Sequence, residues 1–290
     1  MKKSNLLAVK KLKKDGYTVL KKKITEKSCS KLKHILKNFN KKFSTKIYPI
    51  EYNYNLACLD IDFLRLAFDK DLNEIAELFF QYEVDKKIKT KNLQYHLNYM
   101  HHRCLNRPTP SQKLHIDGKI PGSNPPLAMS VIIFLDDVDE DNGSFTVVPK
   151  SHQINRLPKE SDKLKIKKIC GKRGTIIPIS GSLFHGSAEK INNKSRSVII
   201  MNFTRWFMSQ NFALPFLLDQ KTSKSLTERE KRILGFFDYP SLVDKKNKFK
   251  VDKNIFFKKG NIFITGDNKK AVKLSRNLYR KNALDYKSFL

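Results

Sequence analysis

Two side chains that could bind one metal ion lie close together in the segment Leu114–Gly118. His115 and Asp117 are two residues apart, so on an extended strand they would leave the same face. An imidazole and a carboxylate are two of the three ligands of a 2-His-1-carboxylate facial triad. That geometry suits non-haem Fe(II) because it leaves coordination positions open. The two residues of an isolated His-x-Asp pair are more often ordinary polar residues at the surface, so this interpretation depends on residues farther along the chain.

A third candidate ligand and a candidate carboxylate-binding residue follow downstream. His185, within the segment Gly181–Ser187, comes after a turn at the end of a β-segment and could supply the second imidazole. Arg196 lies eleven residues later and opens the apolar strand Ser197–Phe203. A guanidinium there can bind a carboxylate through two hydrogen bonds. An iron site beside an arginine that binds a carboxylate is suited to 2-oxoglutarate, because this 2-oxo acid chelates metal at one end and carries a second carboxylate at the other.

Hydrophobic periodicity predicts the elements that would position these residues. Alternation of apolar and polar residues from Leu93 to Tyr99 predicts a half-buried strand. A short strand is predicted at 17–20, and other strands at 129–135, 145–149, 174–179 and 197–203. Two helices are predicted between the strand at 17–20 and the strand that begins at Leu93, one after the N-cap Thr25 and one over 69–80. Short strands separated by turns predict an all-β barrel or sandwich in residues ~90–207, fronted by helices.

The C-terminal third of the chain gives weaker patterns. Ser225–Glu228 reads as a capping box that opens a helix running to about Phe237. The segment 255–264 resembles a hairpin, and a basic helix is predicted over 269–281. Without a long linker, we expect one domain over residues 1–240 and a basic C-terminal α/β extension, residues 241–290, packed on it.

The charge of the chain raises the question of a polyanionic partner. The formal net charge is +30, which would suit nucleic acid, an anionic membrane or an acidic substrate. However, 47 of the 58 basic residues are lysine, and the lysines are dispersed along the chain. An AT-rich coding sequence produces that composition without selection for binding. We therefore favour a compositional origin and do not expect nucleic acid as a partner.

Cysteine usage and apolar runs bear on where the protein works. The four cysteines are far apart and form no Cys-x-x-Cys pair, which is typical of reduced thiols in a cytosolic protein. The N-terminal apolar run Leu6–Val9 is too short for a signal-peptide core, and no stretch approaches transmembrane length. The sequence thus predicts a soluble, cytoplasmic protein.

Several segments, taken in order, resemble the phytanoyl-CoA dioxygenase family of Fe(II)/2-oxoglutarate oxygenases. The resemblance covers residues from about 10 to 237. It rests on the opening Asp15–Leu20, the ligand strand Leu114–Asp117, the segment Phe134–Val138, the Asn-Gly turn and Pro-x-Ser-His motif within Asn142–His152, and Gly181–Ser187 with Arg196. It implies an α+β fold built on a double-stranded β-helix, a jelly-roll or cupin-like barrel, with flanking N-terminal helices.

The resemblance also implies roles for individual residues. His115, Asp117 and His185 would bind Fe(II), and Arg196 would bind the 5-carboxylate of 2-oxoglutarate, with dioxygen as the oxidant. Because the carboxylate ligand Asp117 is present, the implied chemistry is hydroxylation, since a halogenase of this fold would have a small residue there. The implied substrate is a small molecule or a lipid-, carrier- or glycan-linked group.

Two further candidate co-substrate residues are less well supported by the resemblance. Ser187 lies two residues beyond His185 and could share the carboxylate with Arg196. Lys113 lies two residues before His115, where some relatives have a glutamine that contacts 2-oxoglutarate. Lys113 could contact the co-substrate or an anionic substrate, or it could be solvated. Lys150 also departs from the family, which commonly has glycine there.

Other histidines have ordinary structural interpretations. His101 and His102 are adjacent, so on a strand they would face opposite ways and would not share a metal. His152, in the Pro-x-Ser-His motif, is expected to be structural. The pair His96 and Asn98 has two interpretations, ordinary hydrogen bonding, which we favour, or lining of the pocket. Trp206, just past the last core strand, is a second candidate for the pocket mouth.

Two alternative functions remain open from the sequence. One is a 2-oxoglutarate oxygenase that acts on nucleic acid, suggested by the charge and disfavoured by the spacing of arginines after the distal histidine. The other is a non-catalytic barrel whose basic tail, Lys245–Lys281, binds an anionic membrane or partner.

Overall fold

The computed structural model describes residues 2–21, 23–43, 49–81, 93–122 and 124–236. The predicted C-terminal extension, including its hairpin and basic helix, therefore lies outside the described residues. Among the described residues, no helix is both long and apolar enough to cross a membrane. All four cysteines are free thiols.

Two antiparallel sheets form the centre of the described structure. The larger has five strands in the order β1-β2-β9-β4-β7, and the smaller has four in the order β3-β8-β5-β6. The strands are β1 (Ile50–Tyr54), β2 (Tyr95–Leu105), β3 (Gln112–His115), β4 (Ala128–Phe134), β5 (Phe145–Val147), β6 (Lys167–Ile169), β7 (Ile176–Ser180), β8 (His185–Ser187) and β9 (Arg196–Arg205). This arrangement confirms the predicted double-stranded β-helix.

Seven α-helices are described around the sheets. They are α1 (Lys3–Asp15), α2 (Glu26–Phe43), α3 (Ile61–Ala67), α4 (Lys70–Phe80), α5 (Leu214–Leu217), α6 (Gln220–Ser225) and α7 (Glu228–Ile233). The predicted N-cap of α2 is confirmed, because the Thr25 hydroxyl accepts a hydrogen bond from the Ser28 backbone N–H at 3.2 Å. Asp69 caps α4 in the same way, through the Leu72 N–H at 2.8 Å.

Strand β4 shows how the apolar residues are divided between two cores. Met129, Val131 and Ile133 point to the helices and join the core formed with α3 and α4. Ile132 and Phe134 point the other way, into the core between the two sheets. Because side chains alternate along a strand, this continuous apolar run buries both faces. Helices therefore cover the outer face of the large sheet, and its inner face can contribute residues to the candidate metal site.

One helix was not predicted, and two local predictions were wrong. Helix α1 was missed, although Asn5, Ala8, Val9 and Leu12 have helical spacing and are buried. The segment 17–20 forms only two isolated bridges to the edge strand β7. The capping box begins at Thr227, which pairs with Glu230, and not at Ser225.

Candidate metal and 2-oxoglutarate site

The two histidines are brought together by the pairing of short strands in the smaller sheet. His115 ends β3 and His185 begins β8, and they are directly opposite each other in the register. Their ring centroids are 4.3 Å apart. The backbones are also close at Gly186, where an added Cβ would lie 2.7 Å from the Gln112 carbonyl oxygen. Strand pairing thus joins side chains that are 70 positions apart in the sequence.

Both imidazole rings are oriented by backbone carbonyl groups. His115 Nδ1 lies 3.1 Å from the Lys113 carbonyl oxygen, and His185 Nδ1 lies 2.9 Å from the Leu183 carbonyl oxygen. A carbonyl oxygen only accepts, so each Nδ1 donates its hydrogen and each Nε2 keeps a lone pair. Nε2 is therefore the atom that both rings can offer to a metal ion.

Asp117 is placed by a turn and not by the strand itself. Strand β3 ends at His115, and Asp117 begins a short 3-10 turn in which Gly118 has a left-handed φ of 67°. Asp117 Oδ1 lies 3.7 Å from His185 Nε2. Oδ2 instead accepts a hydrogen bond from the Ser130 hydroxyl. One carboxylate oxygen thus faces the imidazoles while the protein binds the other.

A chain of buried polar groups continues behind Ser130. Asn202 Nδ2 donates to the Ser130 hydroxyl at 2.9 Å, and Asn98 Nδ2 donates to Asn202 Oδ1 at 3.1 Å. The Asn211 backbone N–H in turn donates to Asn98 Oδ1 at 2.6 Å. Each group donates toward Asp117, so the dipoles are aligned toward the carboxylate. Such outer partners fix the orientation of metal ligands.

The donor set fits a divalent iron ion. The ligand atoms of His115, Asp117 and His185 all lie within 4.8 Å of one another. Burial and, to a smaller extent, the neighbouring His185 lower the pKa of His115 to about 4. A neutral imidazole is the form that binds metal. Two imidazoles and one carboxylate are the donor set of the facial arrangement that suits Fe(II).

Arg196 lies inside the barrel and has no partner among the residues that the structure describes. It begins β9 and is only 2% exposed. Its guanidinium makes no hydrogen bond or ion pair with any described residue, and Nε is buried without a partner. Burial lowers its pKa to about 9. An unpaired buried cation is costly, so this position favours binding of an anion.

An aromatic wall adjoins the metal-binding cluster on the inner face of the large sheet. The His101 ring stacks between Tyr54 and Tyr99, at centroid distances of 5.4 and 5.3 Å. Tyr99 and His101 are half-buried between fully buried neighbours on β2, as expected of side chains that line a cavity. Burial, with a contribution from the Asp117 carboxylate, raises the pKa of Tyr99 well above its usual value.

The two remaining candidate residues are placed differently. Ser187 is buried, and its hydroxyl lies 3.5 Å from Arg103 Nη1. The side chain of Lys113 is 83% exposed and forms an ion pair with Glu160. The register shifts between Gln112 and His115, so an extra residue breaks the alternation of β3. The structure does not bring Lys113 to the cluster, and Gln112 lies opposite Ser187 instead.

The other histidines lie outside the cluster, as predicted. His102 is buried between the Asn53 amide oxygen at 2.8 Å and the Ser197 hydroxyl at 2.7 Å. His152 Nε2 lies 3.1 Å from the Lys13 carbonyl oxygen, and this contact joins the Pro-x-Ser-His motif to α1. Trp206 is 45% exposed.

Sequence reasoning missed three residues close to the cluster: Arg103, Ser130 and Asn202. Ser130 and Asn202 are single polar residues within otherwise apolar strands, which was an available signal. Arg103 follows two histidines in an ordinary mixed strand, so no local pattern distinguished it.

Comparisons with known proteins find a matching family model and a curated relative. A family model described as phytanoyl-CoA dioxygenase matches residues 12–198. Dioxygenase FUM3 of Gibberella moniliformis is 26% identical over 112 residues, which are 39% of this chain and 37% of that protein. The match therefore spans little more than a third of that curated relative.

Solved structures resemble the fold at low sequence identity. The epimerase SnoN, in complex with Fe3+, alpha-ketoglutarate and nogalamycin RO, is 12% identical with a TM-score of 0.57, over 70% of this chain and 84% of that chain. HygX from Streptomyces hygroscopicus, with nickel and 2-oxoglutarate bound, is 14% identical with a TM-score of 0.57, over 72% of this chain and 89% of that chain. At these identities the likeness shows the fold alone.

Proposed function

The chain belongs to the phytanoyl-CoA dioxygenase family, and from this membership we propose that it is an Fe(II)- and 2-oxoglutarate-dependent dioxygenase with hydroxylase activity. The family establishes the oxygenase class. The proposal adds hydroxylation as the reaction and a small molecule, or a group linked to a lipid, carrier or glycan, as the substrate.

One observation carries the proposal. The ligand atoms of His115, Asp117 and His185 lie within 4.8 Å of one another, and contacts within the protein hold each of these side chains. Carbonyl groups bind Nδ1 of both imidazoles, and Ser130 binds Asp117 Oδ2. This preorganisation supports a facial iron site, since outer partners of this kind orient ligands in metal sites.

The residues of the chain then have separate tasks. Iron with bound 2-oxoglutarate and dioxygen would supply the oxidation of a C–H bond, chemistry that no side chain provides. His115, Asp117 and His185 would bind the metal on one side only and leave the other side open. Arg196, together with Ser187, would bind the distal carboxylate of the co-substrate and thereby fix its direction from the metal.

The aromatic wall suggests where the substrate would bind. Tyr99 is close enough to Asp117 for the carboxylate to raise its pKa, and His101 and Tyr54 extend the wall away from the cluster. We propose that these rings exclude water and position the substrate C–H bond beside the metal. This role is consistent with a preformed, mostly apolar site that has a few polar groups.

The proposal is tested with purified protein, Fe(II) and 2-oxoglutarate. We expect slow formation of succinate without added substrate, and we expect His115→Ala to abolish both iron binding and succinate formation. His34→Ala, at an exposed histidine on α2, is the matched control and should leave both unchanged. If His115→Ala retains full iron binding and turnover, the assignment of this site fails.

A further inference from the structure

A second arginine lies inside the barrel close to Arg196. Arg103, on β2, is 8% exposed. It donates to two neutral acceptors, Gln112 Oε1 at 3.2 Å and the Ser187 hydroxyl at 3.5 Å. Neither Arg103 nor Arg196 forms an ion pair with a described carboxylate, and each has a buried Nε without a partner.

The two guanidiniums share one face of the large sheet. Arg103 is opposite Val198, and Leu105 is opposite Arg196, in the pairing of β2 with β9. The two arginines are therefore on the same inward face, and their positions are two residues apart along the paired strands. Arg103 then reaches across to Ser187, which is two residues beyond the candidate ligand His185. Arg103 thus lies beside the metal-binding cluster, and Arg196 is its neighbour on the same face of the sheet.

Two buried positive charges that lie close together require a compensating negative charge. The positive charge of Arg103 adds to burial in lowering the pKa of Arg196. Burying one unpaired charge is already unfavourable, and a second one nearby adds repulsion. Contact of Arg103 with the Tyr52 ring, at 6.0 Å from the centroid, offsets only part of this cost. An anionic group between the two arginines would compensate both charges.

We propose that Arg103 is a second binding residue for the distal carboxylate of 2-oxoglutarate and acts with Arg196 on that group. This inference rests on the proposed function and goes beyond it. It makes the site selective for 2-oxo acids that carry a second carboxylate, because a ligand without that group leaves two buried cations unpaired. Gln112 and Ser187 hold the Arg103 guanidinium in place before the ligand binds.

The test measures binding and not turnover. Protein loaded with Zn(II), a redox-inactive substitute for iron, is titrated calorimetrically with 2-oxoglutarate and with 2-oxopentanoate, which has a methyl group in place of the distal carboxylate. The variants are Arg103→Gln, Arg103→Lys and Arg196→Gln. Arg107→Gln, at an exposed arginine on the connection from β2 to β3, is the control.

We expect Arg103→Gln to weaken 2-oxoglutarate binding by about 10- to 100-fold, as is typical for loss of one charged hydrogen-bonding partner. Binding of 2-oxopentanoate should stay within about threefold of the wild-type value, since that ligand has no group for Arg103. Arg103→Lys should give an intermediate loss for 2-oxoglutarate. Zn(II) affinity and the melting temperature of the metal-free protein should remain close to the wild-type values.

Two outcomes would overturn the inference. If Arg103→Gln and Arg103→Lys both leave 2-oxoglutarate affinity unchanged while Arg196→Gln weakens it, Arg103 serves a different anion, such as an acidic group of the primary substrate. If Arg103→Gln weakens both ligands equally, the residue acts through the fold or the metal. Failure of the proposed function is distinguishable, because wild-type protein would then bind neither Zn(II) nor 2-oxoglutarate.

Discussion

Replacing Ser130 by alanine removes the contact between Asp117 and the buried polar chain behind it. The Ser130 hydroxyl donates to Asp117 Oδ2 and accepts from Asn202 Nδ2 at 2.9 Å. It is the only described side chain that joins these two groups. Loss of the hydroxyl therefore affects the candidate metal ligand and the amide at the same time.

The expected magnitudes follow from these two contacts. Asn202 is 3% exposed, so its Nδ2 group would lose a buried acceptor. That loss should lower the free energy of unfolding of the metal-free protein by about 1–3 kcal/mol. Asp117 would lose the partner that keeps Oδ1 directed at His185. Loss of such an outer partner typically weakens metal affinity by about 10- to 100-fold.

Two measurements separate the effects. Chemical denaturation of the metal-free protein gives the stability change, and competition with a chromophoric chelator gives metal affinity. Ser180→Ala is the matched control, since Ser180 is buried on the neighbouring strand β7 and its hydroxyl has no hydrogen bond to a described residue. Equal metal affinity in Ser130→Ala and Ser180→Ala would refute the idea that Ser130 orients Asp117.

Two further predictions concern strand pairing and the N-terminal helix. Gly186→Ala places a Cβ 2.7 Å from the Gln112 carbonyl oxygen. We therefore expect the free energy of unfolding, measured by denaturation, to fall by about 1–3 kcal/mol and metal binding to weaken. Wild-type values for both would contradict the close approach of β3 and β8. Asp71 on α4 binds Lys2 at 2.6 Å and Lys23 at 2.8 Å, and these contacts hold the pKa of its carboxyl below the usual value. Its stabilising contribution is therefore present above the unfolded pKa of about 4 and is lost as pH falls through the lower folded pKa. Asp71→Asn should lower the free energy of unfolding by less than about 1 kcal/mol at neutral pH, because the lysines are solvated. In denaturation experiments the difference from wild type should shrink in acid. A pH-independent difference would rule out an ionic origin of the stabilisation.

The sequence by itself determined the candidate ligands and the class of fold. His115, Asp117, His185 and Arg196 could be named from residue type, order and spacing. The structure brings the three candidate ligands within 4.8 Å of one another and buries Arg196 on β9. The core strands β2, β4, β7 and β9 were predictable, because alternation and apolar runs are local signals. Strand β1 and the three-residue strands β6 and β8 were not predicted. For α1, apolar residues at helical spacing were present, although the helix was not predicted.

Tertiary structure alone decided what surrounds the ligands. The contact of Asn98 with Asn202 joins residues 104 positions apart, and Arg103 meets Ser187 across 84 positions. Such contacts depend on strand register, which no local pattern specifies. The register shift in β3 decided that Gln112 and not Lys113 lies opposite Ser187. The sequence could thus supply the chemistry of the site, while only the paired strands determined which polar groups orient it and how many cations it contains.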